Sequence, residues 1–593
     1  MKTFLKLLLF SLFVNGNLIA QETSDEKYNL DFEILKEKGF KDWSLFGNDS
    51  YVILQDSLNQ YNGRYSAIIE YKEGKEGFKA LSFNIPASYS GKKIKLTGFV
   101  KTENVADGYA GLWLRIDPEV GFDNMNNRGI VGTTDWKKYE IELDYNSLVA
   151  EKILIGGLLV GKGKMWIDDL TLTIDDKDFK ILPKEEKKPV SQETLKKTTN
   201  KIVKNMSDIS FATDKKLDRS LDKLIKDIGD SKIVSIGEDT HGTSEFYKLR
   251  EAITKKLIDE KGFNLVILEN PYDDIELLTQ SLKKEEISSL MKKHLFSIYQ
   301  TKEMLSFLNW FKSKKDIKFK GCDDSYWVLS SLLKDEILNL NNDSINKLFN
   351  CIEEKIVLSV DDYLNKYPNA LILPKNNYGL GASIYEDLMK LENILNKENI
   401  LNDKLKELIF NAKTSYVNFL NMTKNKEIQS RDEVMAKRIS YLAKDPNAKI
   451  IIWAHNAHIS NKIIIGNEIG IMGRDLKNEF KENYYSIGLS SLKGTHSYIE
   501  NKFINGDHDF SEKLLLNTIK NQPKTSWELI FNELNKKPYY FNTKNLQKEE
   551  VIENLKLVGY GKESDLDYYK LNPFVMFDTI FFIETTNGTS PLD

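Results

Sequence analysis

From residue 28 to 176 the hydrophobic positions fall in short alternating or continuous runs: Ser66–Tyr71, Ala80–Ile85, Lys93–Lys101, Ala110–Ile116, Lys138–Leu143, Ile153–Val160 and Met165–Ile174. Gly and Asn turns separate them. A period of two residues, interrupted at regular intervals, predicts about seven short strands packed as an all-β sandwich. Residues 177–197 are rich in Lys and Glu and hold Pro183 and Pro189, the composition of an extended, solvated linker.

From residue 198 to 593 the pattern changes. Short apolar runs at Ile233–Ile236, Leu265–Leu268, Ile317–Gly321, Lys449–Ala454, Tyr485–Ser490 and Thr579–Ile583 predict buried strands. Between them, Phe246, Leu249, Ile253 and Leu257 recur at helical spacing within 245–261. Two longer stretches, 272–312 and 325–443, also read as helical. Strands alternating with helices predict an α/β domain with a mostly parallel sheet covered on both faces. In such sheets ligands bind beyond the C-terminal strand ends, and the helical insertions are expected to wall that edge.

Composition narrows the function classes. The chain has 593 residues and a formal net charge of −4, with 41% hydrophobic and 29% charged residues. That is ordinary for a globular protein of more than one domain and offers no basic patch for nucleic acid. Residues 1–20 pair Lys2 and Lys6 with an apolar run, Leu5 to Val14, and a small residue, Ala20, before Gln21. This reads as a secretory signal peptide, too short for a membrane span, and predicts export to the periplasm or the exterior. The two cysteines, Cys322 and Cys351, are too few for a disulfide framework.

The candidate chemistry lies just after the predicted strands. The first loop is Gly237-Glu-Asp-Thr-His-Gly-Thr-Ser-Glu245, with Glu238 and His241 three residues apart and glycines that would let the backbone bend sharply. Thr243 or Ser244 is expected to cap the next helix. Arg250, one and a half turns into that helix, is placed to reach back to a carboxylate. Glu269-Asn-Pro follows the second strand, Asp323-Asp324 the third, and Trp453-Ala-His-Asn-Ala-His458 the fourth. Half of the six histidines thus fall in two strand-end loops, beside one of only eight arginines. A histidine after a strand is more often a satisfied structural residue. The coincidence of several on one rim argues for a catalytic site.

At this point the chain resembles the erythromycin esterase family over most of residues 210–590. The resemblance rests on Ile236-Gly-Glu-Asp-Thr-His-Gly-Thr-Ser-Glu-Phe-Tyr-Lys-Leu-Arg250, Val266-Ile-Leu-Glu269, Arg431-Asp432 with Met435-Ala436, Ile452-Trp-Ala-His-Asn-Ala-His458, Met472-Gly473, Tyr485-Ser-Ile-Gly488 and Glu584-Thr585. It implies hydrolysis of an ester or macrolactone, with His241 as general base supported by Glu238, Arg250, Glu269, His455 and His458. The runs Gly163-Lys-Met-Trp-Ile-Asp-Asp-Leu-Thr-Leu-Thr and Thr133-Thr-Asp-Trp-Lys-Lys-Tyr resemble carbohydrate-binding jelly rolls, which implies a glycan partner for residues 28–176. Trp113 and Tyr109 would serve it if exposed, whereas packing in the sandwich is the plainer role.

The expected mechanism is attack by a water that His241 deprotonates, with Glu238 or Glu269 fixing its tautomer and His455 or His458 assisting the oxyanion or the leaving alcohol. No cofactor is expected. Three alternatives stand beside it. A serine nucleophile lacks a Gly-x-Ser-x-Gly elbow. A divalent metal bound by the histidines and glutamates would make a metal-dependent hydrolase, for instance of an ester-decorated glycan. A chain with no activity would leave an exported glycan-binding protein.

Overall fold

The computed structural model describes residues 28–592 apart from short intervals, the longest being 367–377. The expected signal peptide, residues 1–20, lies outside the described residues.

The N-terminal region is built from antiparallel pairings. Its two longest strands, Lys93–Asp117 and Lys152–Ile174, pair with each other along most of their length. The sequence pattern had divided each of them into two. Register shifts between Glu103 and Tyr109 carry the chain round a bend without ending the ladder, with Asn104 and Asp107 at positive φ there. Their inward residues, Leu96, Leu112, Ile155 and Leu172 among them, form one core. Trp113 does not present a sugar platform: it is buried, and its indole N–H donates to Leu81 O at 2.9 Å, while Tyr109 packs beside it.

The linker is shorter than the composition suggested. Asp175 and Asp176, both at positive φ, turn the chain so that Lys177–Asp178 pairs back on the last strand and Phe179 enters the core. Helix then begins at Gln192, with Ser191 as its cap, six residues before the expected start of the second domain.

The second domain is mixed α/β. Its main sheet runs, in spatial order, Met206–Asp208, Tyr539–Asn542, Thr579–Thr586, Tyr484–Ile504, Ile233–Ile236, Ile450–Trp453, Leu265–Pro271 and Lys318–Asp323. Neighbours are parallel from Thr579–Thr586 to Lys318–Asp323 and antiparallel at the other edge. The continuous apolar runs follow from burial on both faces. Ile451 and Trp453 enter one core, Ile450 and Ile452 the other.

The region read as helical over 272–312 divides into Tyr272–Ser281, Ile287–His294, a 3₁₀ turn at Ser297–Tyr299, and Lys302–Lys312. Residues 325–443 contain Leu329–Leu338, Asp343–Lys366, Tyr378–Lys397, Asp403–Thr423 and Arg431–Leu442. Four of these helices share a hydrophobic core of their own with Tyr272.

Candidate active site

The loop after Ile233–Ile236 is shaped by crowding. Neither Gly237 nor Gly242 sits at positive φ, so sharp bending is not why glycine is needed. A Cβ on Gly242 would lie 2.0 Å from Ser497 O, and one on Gly237 would lie 2.0 Å from Asn456 Oδ1. Close approach of neighbouring loops therefore demands both glycines. Thr243 is the cap residue of helix Ser244–Lys261 but its side chain makes no cap hydrogen bond, because its hydroxyl is engaged with Thr240.

This packing orients His241. Its Nδ1 is 2.9 Å from Glu238 Oε1, and both side chains are buried, at 3% and 0% exposure. Glu238 Oε2 lies 2.8 Å from Arg250 Nη1. Arg250 also donates from Nε to Gly237 O at 3.1 Å and from Nη2 to Ala454 O at 2.7 Å, which ties two strand-end loops together. A carboxylate facing Nδ1 fixes the Nδ1–H tautomer of a neutral ring and leaves the lone pair on Nε2. The hydrogen bond found for this ring among the described residues is the one at Nδ1. Tyr560 stacks on the ring at 4.3 Å and 7°, and Tyr299 meets it edge-on at 6.1 Å.

His455 faces His241 with ring centroids 4.9 Å apart. Its Nδ1 accepts from Ala457 N–H at 3.2 Å, so in the neutral ring the proton sits on Nε2. Burial, with His241 and His458 adding to it, holds the His455 pKa well below the usual histidine range. The Nε2–H is buried and makes no hydrogen bond among the described residues. The site therefore offers a base lone pair and a neutral N–H donor on adjacent rings.

His458 is of another kind. Nδ1 lies 2.6 Å from Asp432 Oδ1 and Nε2 lies 3.3 Å from Glu269 Oε1. Burial opposes its charge, but the two carboxylates prevail and raise its pKa to about 10. Asp432 in turn accepts from Ile471 N–H at 2.9 Å and Met472 N–H at 3.1 Å, the first turn of helix Ile471–Phe480.

Glu269 is the hub between these groups. Oε2 accepts from His455 N–H at 2.9 Å, and Oε1 accepts from Arg431 Nη2 at 2.9 Å and Tyr560 O–H at 3.2 Å. Burial works against ionisation, yet His458, Arg431 and His241 hold this carboxyl well below the usual range. Arg431 is also bound to Asp323, with Nε 3.0 Å from each carboxylate oxygen.

All six residues picked from the sequence thus meet at one rim, in two linked networks. Glu238, not Glu269, orients His241. Tyr560, Tyr299, Asp432 and Arg431 complete the site and were not among the six. Arg431-Asp432 was visible only as part of the family pattern; Tyr299 fell within the stretch read as helical, 272–312, and Tyr560 lies where no strand or helix was expected. Among the described residues, no group of three or more His, Cys, Asp or Glu is arranged to hold a metal.

The erythromycin esterase family model matches residues 383–586, which contain Arg431, His455, His458 and Tyr560. The chain is 24% identical to erythromycin esterase type II of Escherichia coli over 311 residues, covering 46% of this chain and 71% of that one. It is 35% identical over 153 residues to an uncharacterized HTH-type transcriptional regulator, YbfP, of Bacillus subtilis (strain 168). That match covers 23% of this chain and 48% of the regulator, so the chain spans about half of its length. Among solved structures, a succinoglycan biosynthesis protein is similar in fold, with a TM-score of 0.54 and 19% identity over 68% of this chain and 99% of that chain. The N-terminal region is similar to the CBM22-1 xylan-binding domain of Paenibacillus barcinonensis Xyn10C, with a TM-score of 0.19 and 15% identity over 24% of this chain and 90% of that one.

Proposed function

We propose, with the erythromycin esterase match over residues 383–586 as the premise, that the protein hydrolyses a carboxylic ester or macrolactone by direct attack of a water activated by His241. The observation that carries this reading is the pairing of two differently prepared rings. His241 has its Nδ1–H directed at Glu238 and a lone pair left on Nε2. His455, 4.9 Å away between centroids, holds a neutral Nε2–H with no hydrogen-bond partner among the described residues.

The chemistry follows from those states. His241 Nε2 takes a proton from water as the hydroxide oxygen bonds to the ester carbon. Glu238, held by Arg250, stabilises the imidazolium that forms. His455 Nε2–H donates to the carbonyl oxygen as it gains charge. His458 is already bound at both nitrogens, so its role is to hold Glu269 and Asp432 in place. It is not free to donate to substrate. A macrolide is the substrate class that the family resemblance supplies.

Purified wild-type protein and His241→Ala should be assayed with a macrolide and with aryl esters. The expected result is hydrolysis by the wild type and a loss of at least about a hundredfold in the folded variant. Near-normal turnover in His241→Ala would remove that residue from the mechanism. Loss of wild-type activity after chelation, restored by a divalent cation, would move the reading to a metal-dependent hydrolase. Export is part of the same proposal: mature protein recovered outside the cytoplasm should begin at Gln21, and a retained N-terminus would contradict it. A glycan partner for residues 28–176 predicts retardation of the full chain in a polysaccharide-containing gel, and unchanged migration would count against it.

A further inference from the structure

Among the buried donors with no hydrogen-bond partner among the described residues are His455 Nε2 and the hydroxyl of Tyr299, and both rings lie against His241. Hydrolysis accounts for the first. The second needs its own explanation, because a buried hydroxyl left unpaired costs free energy that phenylalanine would avoid.

Tyr299 is fully buried. It ends the 3₁₀ turn Ser297–Tyr299, closed by Tyr299 N–H donating to Phe296 O at 2.8 Å. Phe296 N–H donates to Asn270 Oδ1 at 2.9 Å, and Asn270 directly follows Glu269. Thr301, two residues on, caps the next helix and its N–H donates to Tyr299 O at 2.9 Å. The turn is thus fixed to the strand end that supplies Glu269, with the ring edge-on to His241 at 6.1 Å and 87°. Burial and the nearby negative charge of Glu269 and Glu238 push the phenol well above its usual range, so it stays protonated and can only donate to an oxyanion.

We propose that Tyr299 is a catalytic residue, whose O–H joins His455 Nε2–H in binding the oxyanion of the tetrahedral intermediate. This rests on the hydrolytic reading above. In the first step the O–H bond of water breaks, its proton goes to His241 Nε2, and the hydroxide oxygen bonds to the ester carbon. The carbonyl π pair moves onto oxygen, where the two donors receive it. In the second step that pair re-forms C=O, the C–O bond to the alcohol breaks, and the proton on His241 passes to the departing oxygen. Water and ester give acid and alcohol with nothing else consumed.

The test compares Tyr299→Phe, His241→Ala and wild type, using whichever of erythromycin and a set of aryl esters the wild type turns over fastest. Tyr299→Phe should lose about a hundredfold in kcat. KM should stay unchanged, and the melting temperature should equal or exceed that of the wild type because no native hydrogen bond is lost. Wild-type kcat in Tyr299→Phe with an inactive His241→Ala would overturn the tyrosine proposal and leave the hydrolytic reading standing. Loss of kcat together with a lower melting temperature would assign Tyr299 a structural role and overturn it too. Full activity in His241→Ala, or no turnover of any ester by the wild type, would overturn both.

Discussion

Replacing Arg250 by Met and Glu238 by Gln, singly and together, probes how the structure prepares His241. Both side chains are at 0% exposure, with Nη1 and Oε2 2.8 Å apart. Removing one partner of such a pair leaves the other buried and uncompensated, at a cost of about 3–5 kcal/mol. Arg250→Met also strips charged donors from Gly237 O and Ala454 O, each worth ~1–3 kcal/mol if left unpaired. Glu238→Gln keeps an acceptor for His241 Nδ1–H but buries a bare guanidinium. The double variant removes both charges together. Its loss should therefore be smaller than the sum of the single losses by at least ~2 kcal/mol. Urea denaturation of the four proteins gives this coupling directly. Turnover of Glu238→Gln should fall by about 10²–10⁴, because nothing charged remains to stabilise the imidazolium. Additive stability losses, or wild-type turnover in Glu238→Gln, would contradict this role for the pair.

Two more predictions follow from the same network. The His458 pKa is raised from 6.5 to about 10, so its stabilisation is fully present below pH 6.5 and is lost as the pH rises through about 10. The unfolding free energy of the wild type, from urea titrations, should fall across that window by an amount on the order of a few kcal/mol. His458→Gln should lack this part of the fall, and identical pH profiles for the two proteins would contradict the assignment. Gly242→Ala places a methyl group against the Ser497 backbone, whose N–H donates to Gly242 O at 2.8 Å. It should cost about 1–3 kcal/mol and depress turnover by shifting His241, measured by calorimetry and a hydrolysis assay. A variant as stable and active as the wild type would rule out the crowding argument.

The parts of this protein most legible in its sequence were those governed by burial on two faces. Ile233–Ile236 and Ile450–Trp453 read as strands because every residue is apolar or small, and the polar residues that follow them then stand out at the strand ends. The spacing of Phe246, Leu249, Ile253 and Leu257 likewise marks the buried side of helix Ser244–Lys261. The strands Met206–Asp208, at the sheet edge, and Tyr539–Asn542, next to it, went unread because each is three or four residues long and neither alternates. The tyrosines of the site were hidden for a related reason. Tyr560 is brought over His241 by a backbone contact, Val558 N–H to Asp239 O at 2.7 Å, between residues more than 300 positions apart. No local pattern encodes that approach. The division of labour among the histidines was equally invisible, since His455 and His458 differ only in what surrounds them: one accepts a backbone N–H, the other lies between two carboxylates.

The most direct test of the hydrolytic reading is mass spectrometry of erythromycin incubated with purified wild-type protein and with His241→Ala. The expected result is a product heavier by one water with the wild type and unchanged antibiotic with the variant at equal protein concentration. Conversion by both proteins alike would contradict the role assigned to His241. With the wild type inert here and toward every aryl ester, the site would have some use other than ester hydrolysis.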